Sequence, residues 1–353
     1  MLIPTDAWAV LLESGVTVRP TGPAQVELVA AEGDAVAVTA VVERRPTALS
    51  PSHVRNHLVH GSPAQGELLL VVPSATPAAL DAAAAAGISV LVADPTGTAA
   101  VTGRIVLSDR TIELGADLPR PDAGQLPSRP GRRPWGALTV VRRLLTAGPA
   151  TQVDLGRSAA VSQARVSQAL TGLVADGLVR RTVDAGRARW APADWDALVD
   201  WWLTNYPGPG GITTYWYGLA GVPEQARAAV AALSAAGMPA AVSGDVAADL
   251  LAPWRRPGRA VVYADPSGRP VHDELTAAGL TPSGAGEATF ELIVPADPGV
   301  WPAPGTTAEA DLPLADPLQL LWDVTRAPGA DVDQAVTALR KVLKARAAAA
   351  ASR

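Results

Sequence analysis

The sequence predicts a multidomain α/β protein in which two mixed α/β domains flank a small helical module that ends in a β-hairpin. Strand-like apolar runs alternate with helix-like stretches in the first and last thirds of the 353 residues, the pattern of sheets covered by helices. A stretch crowded with proline and glycine, LPRPDAGQLPSRPGRRP from Leu118 to Pro134, denies helix and sheet alike a continuous run and reads as a linker. Charge is partitioned as well. Residues 129–193 carry eleven Arg against only Asp154, Asp176 and Asp184, a formal +8, while the whole chain is −5, so the remainder is −13. The boundaries that follow are 1–128, 129–193 and 194–353.

In the first segment, QVELVA (25–30) and VAVTAVVE (36–43) read as strands around the turn residues EGD, and a short helix opens at Ser50 and Pro51. A βαβ-like run follows. LLLVVP is a buried strand, TPAALDAAAAAG a helix with Pro77 near its start and Gly87 at its end, and ISVLVAD a second buried strand. His53, His57 and His60 fall on one stripe of the short helix. They could chelate a metal, but with no cysteine in the chain and no obvious carboxylate ligand nearby they read as a polar face, and no metal or cofactor is expected.

In the second segment, GALTVVRRLLTAG (136–148) is a first helix. TQVDLGRSA is a short second helix, with Thr151 as N-cap and Asp154 at capping-box spacing. After a tight turn Ser162 caps a third helix, in which Val166, Leu170 and Leu173 occupy one narrow arc that must pack inward. Stepping about 100° per residue from Val166 puts Ala164, Gln168 and Thr171 on the opposite side, with Arg165 and Ser167 on the flanks. GLVRRTVDAGRARWAP then forms two strands around the DAG turn, with Arg187 and Arg189 sharing a face of the returning strand.

Three helices and a basic hairpin constitute a winged helix-turn-helix, and a local positive field attracts phosphate even on an acidic chain. The third helix, 162–176, is expected to read the major groove, and the wing, 180–190, to hold the backbone or minor groove. The candidate DNA-contacting residues are Thr151, Gln152, Ser162, Gln163, Ala164, Arg165, Ser167, Gln168, Thr171, Arg180, Arg181, Arg187 and Arg189. The stretch VSQARVSQALTGLVADGLVRR strongly resembles winged-helix transcription regulators of the MarR-like kind over about 60 residues. That resemblance implies binding to double-stranded DNA and, from two half-sites, a homodimer, for which the Trp201 and Trp202 region is the expected contact.

The first segment resembles the restriction-endonuclease-like fold found ahead of winged helices in some bacterial regulators. Active members hold Mg²⁺ with an acidic residue on one strand and a carboxylate plus lysine on the next. Glu27 suits the first position, but Val38, Thr39 and Ala40 stand where the triplet belongs, and no lysine precedes Lys341. The resemblance therefore implies a scaffold without nuclease chemistry, and the protein is not expected to be an enzyme.

Thirteen of the fifteen aromatic residues lie after Arg189, with a dense run in WDALVDWWLTNYPGPGGITTYWYG, and the third segment reads as a second α/β domain that closes on two helices. The run VSGDVAAD has Asp245 and Asp249 on a helix and lacks the paired carboxylates of a nucleotidyltransferase, so no transferase activity is assigned. The order of the three segments resembles large regulators among the AbiEi-family type IV antitoxins, in which a winged helix represses its own promoter and a further domain accompanies a nucleotidyltransferase toxin. Two functions are thus open: a transcription regulator whose C-terminal domain receives a small-molecule effector, or an antitoxin whose outer domains bind a protein partner. With no basic leader and no apolar run of about 18 residues, a cytoplasmic location and no membrane contact are expected.

Overall fold

The structure is a computed structural model that describes residues 2–30, 37–59, 67–93, 100–115, 135–184, 186–302 and 312–351. The first stretch of chain forms α1 (Ala7–Glu13), β1 (Val16–Gly22), β2 (Gln25–Ala30), β3 (Val38–Arg44), α2 (Pro51–Val59), β4 (Leu68–Val72), α3 (Pro77–Ala85), β5 (Ser89–Val92), β6 (Thr102–Val106) and β7 (Thr111–Leu114). Next come α4 (Trp135–Ala147), α5 (Gln152–Ala159), α6 (Gln163–Ala175), β8 (Val179–Asp184), β9 (Arg187–Pro192) and α7 (Trp195–Asn205). The rest is β10 (Ile212–Gly218), α8 (Val222–Ala235), β11 (Ala240–Ser243), α9 (Gly244–Leu251), β12 (Ala260–Ala264), α10 (His272–Ala277), β13 (Leu280–Pro282), β14 (Phe290–Val294), α11 (Pro317–Val324) and α12 (Val332–Ala351).

These elements gather into two compact units that do not follow the three consecutive segments. One comprises Met1–Pro130, Pro209–Ala241 and Gly258–Ala296; the other comprises Gly131–Gly208, Val242–Pro257 and Asp297–Arg353. The regrouping has a packing cause. Ile212, Tyr215 and Ala288 share one apolar cluster with Trp8, Val16, Val26 and Leu28, and the Leu2 N–H donates to the Gly211 carbonyl at 3.0 Å.

The first unit has a seven-stranded sheet in sequential order, β1 to β7, parallel across β3–β4–β5 and antiparallel elsewhere. The expected β2–β3 hairpin and the βαβ run from β4 to β5 are present; the EGD turn lies outside the described residues. Thr76 caps α3 by accepting from the Ala79 N–H at 3.2 Å, and Gly87 leaves the helix at φ 71°. β4 is buried along its whole length, as a strand covered on both faces must be. Strand β1 is hard to recognise in the sequence, since Pro20 argues against a strand. It stands at the sheet edge, where a missing N–H costs nothing. A second sheet, in the order β11-β12-β14-β10-β13, carries α8 and α10.

The second unit is built around α4, whose buried Leu138, Val140, Val141, Leu144 and Leu145 form its core face. Helices α5, α6, α7 and α12 all pack on it.

Candidate nucleic-acid interface

Local chemistry sets the two helices expected to approach DNA. Thr151 has extended backbone, and its Oγ1 accepts from the Asp154 N–H at 3.2 Å while donating to Asp154 Oδ2 at 2.7 Å. That second bond holds the Asp154 carboxyl below the usual carboxylate range. Helix α5 ends at Ala160, which takes a left-handed φ of 51°. Ser162 then restarts the chain, its Oγ accepting from the Arg165 N–H at 3.5 Å. The capping box and the turn thus fix the angle between α5 and α6.

Helix α6 is divided as its periodicity demands. Val166, Leu170 and Leu173 are buried, and Gln163, Ala164, Arg165, Ser167, Gln168 and Thr171 are all exposed. The Thr171 hydroxyl donates back to the Ser167 carbonyl at 2.9 Å, which leaves Gln168 the longest polar side chain on the face opposite Val166. Gln152 and Thr151 are half-buried, and Ser162 is exposed.

The wing pairs Arg180 with Ala191, Thr182 with Arg189 and Asp184 with Arg187. Since directly opposed residues share a face, Arg180, Arg187 and Arg189 lie on one side of the ribbon. Arg181 lies on the other, its guanidinium 5.8 Å from the centre of the Trp190 ring. Two of these arginines are partly committed to backbone: Arg189 Nη1 donates to the Pro149 carbonyl at 3.3 Å and Arg180 Nε to the Pro192 carbonyl at 3.4 Å. Arg187 is exposed. Ala185, at the wing tip, lies outside the described residues.

Charge counting misjudges Arg142. It lies on α4 with 1% of its side chain exposed, between Asp297 Oδ2 at 3.2 Å and Asp316 Oδ1 at 3.3 Å, both equally buried. Its Nη1 also donates to the Gly299 carbonyl, and its guanidinium faces Trp202 at 4.9 Å and Tyr206 at 5.4 Å. One of the eleven arginines therefore serves the core and adds nothing to the outer field. Arg143 is half-buried and Arg157 exposed, and Arg157 makes a 3.9 Å contact with Asp154. Arg129, Arg132 and Arg133 lie outside the described residues.

Other expected sites fare differently. Trp202 is completely buried, stacked on Tyr206 at 4.3 Å with its indole N–H donating to the Leu138 carbonyl at 3.1 Å. The expectation that it forms a dimer contact is corrected, because the ring closes the back of α4; Trp201 is half-buried. His53 keeps its Nδ1 3.2 Å from the Ala48 carbonyl, while the His57 side chain and His60 lie outside the described residues. Among the described residues no cluster of three or more His, Asp and Glu could hold a metal. Glu27 sits on β2 in register with Arg19 on β1 and Thr39 on β3. No helix among the described residues is long and apolar enough to cross a membrane.

Helices α4, α5 and α6 followed by the β8–β9 ribbon define a winged helix-turn-helix, the class of module with which transcription regulators hold duplex DNA. The sequence of this module is similar to one family: the model of the MarR family matches residues 133–189. This match supports a DNA-binding transcriptional regulator. No curated protein and no solved structure matches the chain.

Proposed function

We propose that the protein is a sequence-specific regulator that reads the major groove with α6 and holds the backbone or minor groove with the β8–β9 wing. One observation carries this reading: the face of α6 opposite its buried stripe is small and polar, with Ala164, Gln168 and Thr171 exposed together and Arg165 and Ser167 exposed on its flanks. Small side chains let a helix enter the groove closely, and a glutamine offers the donor–acceptor pair that matches adenine N7 and N6. The arginines of the wing supply sequence-independent attraction to phosphate. The protein acts in this reading as a cytoplasmic homodimer on two half-sites about ten base pairs apart or a multiple of that. The first unit serves as a scaffold without catalysis, since Val38, Thr39 and Ala40 offer no carboxylate and lysine beside Glu27.

The test is selection of a preferred duplex from a random pool, followed by titration of wild type and Gln168→Ala on that duplex and on a scrambled one. Loss of a bidentate contact costs about 1–3 kcal/mol on the selected duplex and leaves scrambled DNA nearly unaffected. If wild type binds neither duplex at low salt, the winged helix docks proteins and the reading fails.

A further inference from the structure

The outward arc of α6 is short of hydrogen-bond donors. Stepping about 100° per residue from the buried Val166 places Ala164, Gln168, Thr171 and Ala175 within about 60° of one another on the far side, and all four are exposed. Arg165 falls on one flank and Ser167 on the other, the positions from which side chains reach phosphate and sugar. Thr171 has one proton to give, and its hydroxyl gives it to the Ser167 carbonyl at 2.9 Å. What the arc can offer a base edge is therefore three methyl groups and one amide, that of Gln168.

The four bases answer that offer differently. Guanine shows two acceptors, N7 and O6, in the major groove and is read as a rule by arginine or lysine. Neither residue stands on the arc, so a guanine opposite one of the methyls loses its water and gains no donor. Thymine shows a C5-methyl, and a methyl packed against it removes apolar surface from water. Adenine N7 and N6 match the two ends of the Gln168 amide. Spacing keeps these contacts on separate base pairs. At about 1.5 Å per residue, Ala164 lies about 6 Å to one side of Gln168 along the helix and Thr171 about 4.5 Å to the other, against about 3.4 Å between successive base pairs.

We propose that Ala164 and Thr171, the two methyl-bearing residues nearest Gln168, are specificity-determining residues: they read thymine C5-methyl groups on base pairs either side of the adenine held by Gln168, and they turn guanine away from those positions. The inference rests on the DNA-binding reading and fixes what that reading leaves open, the bases that α6 selects beside the adenine.

The probes are the duplex selected from a random pool and copies of it in which a single thymine of one half-site is replaced by uracil, each titrated with the full chain. Uracil lacks the C5-methyl and keeps every hydrogen-bonding group. At two thymine positions flanking the adenine, the exchange weakens wild type about fourfold, the worth of one buried methyl-sized group. Thr171→Ser keeps the hydroxyl and removes only the methyl. It is indifferent to uracil at one of those positions and remains sensitive at the other, and Ala164→Gly shows the reverse. Replacing the central adenine by 7-deazaadenine, which lacks the N7 acceptor, weakens wild type about tenfold and Gln168→Ala no further. Each comparison is made within one variant, between two duplexes, so a loss of helix stability cancels. A selected half-site with guanine in the flanking positions, uracil copies that bind as tightly as thymine, or a uracil penalty that survives unchanged in both Thr171→Ser and Ala164→Gly overturns the proposal while DNA binding itself stands. A wild type that binds no duplex overturns the DNA-binding reading, and the proposal with it.

Discussion

Replacing Arg142 by Met probes the buried charge cluster of the second unit directly. The substitution keeps an apolar stem of similar length but strands Asp297 and Asp316, whose side chains are 3% and 1% exposed. Breaking a buried pair in this way costs about 3–5 kcal/mol. The cost has a ceiling, because a stranded carboxylate binds a proton rather than remain charged. Taking a group with a pKa of about 3.9 to its neutral form at pH 7 costs at most about 4.2 kcal/mol, falling by about 1.4 kcal/mol for each pH unit removed. A carboxyl whose folded pKa is raised has its full stability below the unfolded pKa and loses it as pH climbs through the folded value. The variant should therefore lie closest to wild type near pH 4–5 and fall furthest behind at pH 7. Burial already pushes the Asp316 carboxyl up in the native protein, against the pull of Arg142. Asp316→Asn removes that strain and leaves Arg142 paired one-to-one with Asp297, so it costs much less and gains on wild type as pH rises. Urea unfolding followed by tryptophan fluorescence between pH 5 and pH 7 measures both. A penalty below about 1 kcal/mol for Arg142→Met at pH 7, or one that does not change with pH, would refute the assignment of Arg142 as the counter-ion of two ionisable acids.

The remaining predictions concern the DNA-facing side. Arg187→Ala with Arg189→Ala should weaken selected and scrambled duplexes alike and reduce the slope of log affinity against log salt by nearly 2, if each arginine neutralises one phosphate; an unchanged slope in a salt titration would take the wing off the backbone. Ser162→Ala should cost about 0.5–1 kcal/mol, the low end for an N-cap because its bond to the Arg165 N–H is long at 3.5 Å. A midpoint equal to wild type in urea would show that the cap is not formed in solution.

The part of the fold that was legible in advance is the part specified locally. Helices α4, α5 and α6 announce themselves through the spacing of Val166, Leu170 and Leu173, the caps at Thr151 and Ser162 and the glycine after Ala147, all of which act within a few residues. The wing is legible because Arg187 and Arg189 alternate around a DAG turn. Strand β1 is hidden by its proline, and β6 and β7 by their shortness. The regrouping of the chain into two units is hidden more deeply: nothing near Ile212 or Ala288 in sequence says that their partners are Trp8 and Val16, because that choice is made by shape and burial across the folded chain.

The same distinction governs the site. Arg142 and Arg143 are neighbours in one arginine pair, and composition treats them alike, yet one is only half-buried and the other is sealed beneath Trp202 with acids from beyond residue 296. The difference is helical phase. Arg142 follows Val140 and Val141 on the buried side of α4, whereas Arg143 turns outward, where its Nε reaches the Ser158 carbonyl at 3.2 Å. A charge on the apolar side of an amphipathic helix needs a counter-charge brought from elsewhere, and that requirement could have been read from the sequence, although the identity of Asp297, 155 positions away, could not. The positive field available to DNA is therefore set by which arginines the second unit keeps for itself. By joining α4 to residues 297–316, Arg142 makes the structural support of the winged helix larger than the 133–189 match that identifies it.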